Sequence, residues 1–84
     1  MTHEYILLEK YLRELPPHQE ELTMSFKQIE DILKESLPLA AHEHHSWWSN
    51  QKQGMLIEPL AWMDAGWMVE TVNLHEQRVK FVRQ

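Results

Sequence analysis

Cysteine is absent from the chain, which excludes disulfide bracing, a thiol nucleophile and a cysteine-ligated zinc site, and fits a reducing compartment, the cytoplasm. Glycine occurs only 2 times, too few for a loop that cradles phosphate. No apolar run approaches the about 20 residues that span a bilayer, and the start, Met1-Thr2-His3-Glu4-Tyr5, lacks the basic and apolar regions of a secretory signal. Neither secretion nor a membrane partner is expected. Positive charge is also scarce: 8 Lys and Arg stand against 13 Asp and Glu, a net charge of -5. That balance disfavours non-specific attraction to nucleic acid, which depends on cations neutralising phosphates, although one less acidic face can still make such contacts. The acids crowd the first half, where residues 1 to 41 carry eight against four bases, whereas 42 to 84 carry five acids, four bases and four of the 6 histidines.

A chain of 84 residues supports one core, and a single domain over 1–84 is expected. Between Thr2 and Leu15, Tyr5, Leu8, Tyr11, Leu12 and Leu15 recur at spacings of three and four, which predicts a helix ended by Pro16-Pro17. Ile6 and Leu7 widen its apolar surface, so its second side is a candidate contact for another chain, including a homodimer. Glu21-Leu22-Thr23-Met24 reads as a short strand that feeds a helix from Phe26 to about Glu35. Ser25 and Gln28 stand at capping-box spacing, and Phe26, Ile29, Ile32 and Leu33 face inward. Residues 38 to 53 read as a long connector with a helical turn. A third helix fits Met55 to Ala65, beginning close to Glu58 because Pro59 suits only a first turn, with Gly66 as its left-handed stop. Two β-prone runs, Trp67 to Leu74 and Arg78 to Arg83, flank His75-Glu76-Gln77 and predict a hairpin. The fold class is therefore α+β, winged-helix-like, in the order helix-strand-helix-helix-strand-strand with a small antiparallel sheet.

What the chain does have is tryptophan, with all 4 residues between positions 47 and 67. Each brings a large apolar ring and an N–H that needs an acceptor once it leaves water. Trp62 and Trp67 flank Gly66, where a helix stops and a strand begins, and read as core bracing. Trp47 and Trp48 are adjacent and diverge, so one is expected inside and one at the surface. Trp48 is taken as the outer one, forming a contact patch with Asn50 and Lys52. In the alternative, one ring plugs the core and Asn50 caps the next helix. Arg78, Lys80 and Arg83 read as the basic face of the hairpin, suited to phosphate. His42, His44 and His45, with Glu43, read as a solvated loop because three histidines within four residues lack the separated ligands of a metal site. Ser46 and Ser49 beside these histidines lack triad geometry, and no catalytic residue, cofactor or metal is expected.

Leu37-Pro38-x-x-Ala41, Trp47-Trp48-x-Asn50, Ala61-Trp62-x-x-Ala65-Gly66-Trp67 and Val79-x-Phe81-x-Arg83, preceded by Thr23 to Glu30, together resemble a widespread family of small bacterial and phage domains of unknown function. The resemblance covers most of the chain and brings no activity, cofactor or partner with it. Its pattern has basic residues around the paired Trp, where this chain has His44, His45 and Ser46 before it and Lys52 after it. The reading that follows is a non-enzymatic recognition module that binds nucleic acid through Trp47, Trp48, Asn50, Lys52, Arg78, Lys80 and Arg83. The alternative is a protein-interaction module, such as a phage-type inhibitor or an assembly subunit.

Overall fold

The computed structural model describes residues 5–50 and 62–84. Helix α1 spans Tyr5–Arg13 and buries Leu8 and Leu12. Tyr5 and Leu15 pack on the edge of the core, while Tyr11, expected on the core side, is 40% exposed. Leu8 and Leu12 set the buried direction, and Tyr11 lies about 100° from Leu12 around the helix, where it shares a flank with Leu7 one turn away.

Strand β1, Glu21–Ser25, runs directly into helix α2, Phe26–Leu33. The junction is fixed by a reciprocal cap: the Gln28 N–H donates to Ser25 Oγ at 3.0 Å and the Ser25 N–H donates to Gln28 Oε1 at 2.9 Å. Helix α2 buries Phe26, Ile29 and Leu33 against α1 and β1. It stops slightly short of the expected end, because Lys34 turns left-handed (φ 64) and its N–H donates to the Glu30 carbonyl at 2.7 Å. The Glu30 carboxylate then accepts the Leu37 N–H at 2.8 Å, which holds the turn before Pro38.

The connector contains the short helix α3, Leu39–Glu43, and a single 3-10 turn, His45–Trp48. The third helix predicted from Met55 to Ala65 lies outside the described residues except for its end. There Trp62 and Met63 are helical and the Gly66 N–H donates to the Met63 carbonyl at 3.0 Å. Gly66 has φ +87, as a left-handed stop requires, and a Cβ there would meet nothing within 4 Å, so backbone conformation rather than crowding favours glycine.

Strands β2, Trp67–Asn73, and β3, Arg78–Arg83, form the hairpin, and β1 pairs on its far side to give an antiparallel sheet in the order β1-β3-β2. The order helix, strand, helix, helix, strand, strand is the one the sequence predicts. Trp67, Val69, Val79, Phe81 and Met24 are buried on the sheet face under the helices. The register slips between Val69 and Thr71, so that Val72 pairs with Val79 and returns to the inner face despite its even number. Trp48, Trp62, Trp67, Phe26 and Phe81 are the largest fully enclosed side chains. Removing a ring of about 150–250 Å² from water at about 25 cal/mol per Å² contributes about 4–6 kcal/mol before the entropy of ordering it.

Candidate recognition surface

The 3-10 turn decides which tryptophan faces out. At three residues per turn, neighbouring side chains leave the backbone about 120° apart, so the two rings take different depths even though their edges meet. Trp48 enters the core. Its ring stacks between Phe26, at 5.0 Å between centroids, and Trp62, at 5.8 Å, and its N–H donates to the Ala41 carbonyl at 2.9 Å. The expectation that Trp48 contacts a partner is therefore corrected: it is 2% exposed and its one polar atom is satisfied.

Trp47 is the outer member of the pair. Its ring is partly buried, edge-on to Trp48 at 4.7 Å and tilted against Tyr5 of α1 at 6.2 Å. The other indoles all donate to protein acceptors: Trp48 to Ala41, Trp62 to Asn50 Oδ1 at 3.0 Å, and Trp67 to the Leu12 carbonyl at 3.2 Å. The Trp47 N–H has no acceptor among the described residues, and none of their buried side-chain nitrogens is left without one, so water reaches this atom.

Asn50, expected at the contact surface or at a helix cap, instead works as a short piece of β-strand. Its Nδ2 donates to the Val69 carbonyl at 2.8 Å, and its Oδ1 accepts the Val69 N–H at 2.8 Å as well as the Trp62 indole. The carboxamide thus pairs with the outer edge of β2 beside the register slip and ties the connector to the sheet. Lys52 lies outside the described residues.

The three hairpin cations do not form one basic face. Arg78 and Lys80 alternate with Val79 and point away from the core. Arg83 has the parity of Val79 and Phe81 and lies on the inner side, with its guanidinium 4.5 Å from the Trp67 ring centroid. Arg83 also donates to the carbonyls of Gln19 and Pro16, each at 2.9 Å, locking the end of β3 to the α1–β1 loop. Lys80 sits 3.0 Å from Glu70 and 3.7 Å from Glu21. The hydrogen bond to Glu70, followed by the charge of Glu21, raises its pKa above the ordinary lysine value. Arg78 pairs with Glu76 at 3.0 Å, both well exposed.

Two further pairs engage Arg13 with Glu9 and Lys27 with Asp31. Among the described residues, the side chains left without an ion pair or hydrogen bond include the exposed carboxylates of Glu14, Glu20, Glu35 and Glu43 against the ammonium groups of Lys10 and Lys34. The histidine run divides: His42 is half-buried, edge-on to Phe26 at 5.2 Å and 4.0 Å from Glu30, while His44 and His45 are exposed. No group of three or more His, Asp or Glu among the described residues is gathered to hold a metal ion. On α1, Ile6 (58%), Leu7 (37%) and Tyr11 (40%) form an exposed apolar side. No helix among the described residues is long and apolar enough to cross a membrane.

Fold and surface together define a small α+β domain whose aromatic core leaves one indole at the surface. The chain belongs to the family described as Domain of unknown function (DUF7662), whose model matches residues 5–84. No curated protein and no solved structure matches it.

Proposed function

We propose that this domain is a non-enzymatic recognition module whose partner is a protein, anchored at Trp47. The observation that carries this reading is the contrast among the four indoles: three are satisfied inside the fold, and the fourth offers water a donor and part of its ring. Tryptophan and tyrosine dominate protein-contact energetics because they combine large rigid area with a polar tip, and Tyr5 stands beside Trp47. The surrounding fold holds the ring in place beforehand, which lowers the entropy lost on binding.

A nucleic-acid partner is the second reading. Its support is the winged-helix order of elements and the β2–β3 hairpin in the position of a wing, with Arg78 beside its turn. It ranks below the first because Arg78, Lys80 and Arg83 already have internal partners. The outward side of α1 supports an additional contact with a second copy or another chain.

Cross-linking of the intact domain to interacting proteins, compared with Trp47→Ala, tests the first reading. The expected result is a protein captured by the native chain and lost in a variant that keeps its helical circular dichroism. Equal capture by both sinks it. Duplex DNA at micromolar protein in about 50 mM salt tests the second: binding that weakens steeply with added salt supports nucleic acid. Ultracentrifugation at high concentration reports any α1-mediated dimer.

A further inference from the structure

We infer that the partner presents a basic side chain, arginine or lysine, to the Trp47 surface; this rests on the protein-recognition reading above. An aromatic face attracts a cation through its quadrupole, more strongly when water is excluded around it. The fold already makes this contact internally, where the Arg83 guanidinium lies 4.5 Å from the centroid of Trp67. Trp47 has a partly exposed ring with Tyr5 beside it, and no cation among the described residues lies over it.

The free charge on the described surface has the matching sign. Four exposed glutamates are uncommitted against two lysines, and one of those glutamates, Glu43, ends α3 just before the turn that carries Trp47. A basic segment gains from both the ring and this residual negative field, whereas a phosphate backbone is repelled by the field. The Trp47 N–H adds a donor for a carbonyl of the same segment.

The test uses the intact domain, ¹⁵N-labelled, titrated with a short peptide of leucine and arginine and with its twin in which citrulline, a neutral isostere, replaces arginine. The four indole N–H signals are assigned through Trp-to-Phe variants. The arginine peptide is expected to move the Trp47 indole signal and to bind about 3- to 30-fold more tightly than the citrulline twin. The preference should shrink in Glu43→Gln, a change at an exposed position that leaves the fold intact. Equal binding of the two peptides at Trp47 leaves the surface a protein contact and overturns the basic side chain. If neither peptide perturbs Trp47, the inference fails whatever the cross-linking shows, and tighter binding of a leucine and glutamate peptide reverses its sign.

Discussion

The β2–β3 hairpin and the connector that follows α2 both carry residues suited to contact with another molecule, and they dispose of them differently. In the hairpin, Arg78, Lys80 and Arg83 are held by Glu76, by Glu70 and Glu21, and by the carbonyls of Gln19 and Pro16. In the connector, Trp48 and Asn50 are consumed by the core and by β2, while the Trp47 N–H has no acceptor among the described residues and is left to water. Residue type is therefore a poor guide to availability: what separates structural from available groups is whether their polar capacity is already met inside the fold.

Truncating the two adjacent indoles should separate an inner ring from an outer one by the largest margin. Trp48→Ala should cost about 3–5 kcal/mol in urea denaturation, a large share of the stability of so small a domain. Trp47→Ala should cost less, about 1–2 kcal/mol, because part of its ring is already in water. Equal losses would erase the distinction between an inner and an outer ring. Next in size, Asn50→Ala strands the N–H and carbonyl of Val69 together with the Trp62 N–H, and should cost about 2–4 kcal/mol. A cost near zero would mean that water replaces the carboxamide at the edge of β2.

On the hairpin, Arg78→Ala should change stability by less than about 0.5 kcal/mol, since its pairing with Glu76 is exposed and screened. The smallest effect is a pH dependence. Because the folded pKa of Lys80 is raised, its contribution is fully present below the ordinary lysine value of 10.5 and fades as the pH rises through the folded value above it. The stability difference between the native chain and Lys80→Met should thus be flat from pH 6 to 9 and diminish only beyond that lysine value. A difference that falls away near neutrality would show that Lys80 is not held by Glu70 and Glu21.

Much of the fold was legible in the sequence because it rests on local chemistry. Ser25 and Gln28 announced the start of α2, Gly66 its left-handed turn, and the two β-prone runs their hairpin. Arg83 was legible too, since its parity with Val79 and Phe81 places it on the inner face, but its positive charge suggested grouping it with Arg78 and Lys80. Three features lie beyond local pattern. No residue type signals the slip at Glu70 that returns Val72 to the core. The choice between Trp47 and Trp48 depends on the 3-10 turn and on where Phe26 and Trp62 stand. The work of Asn50 requires a strand edge 19 positions further along the chain.

Of the four indoles, that of Trp47 has no acceptor among the described residues, and hydrogen exchange at the indole N–H groups reads this difference in solution. Fast exchange is expected at Trp47, with protection at Trp48, Trp62 and Trp67 that is lost only on larger opening of the fold. Protection of Trp47 equal to that of Trp48 would show that the outer indole is as enclosed as the inner one.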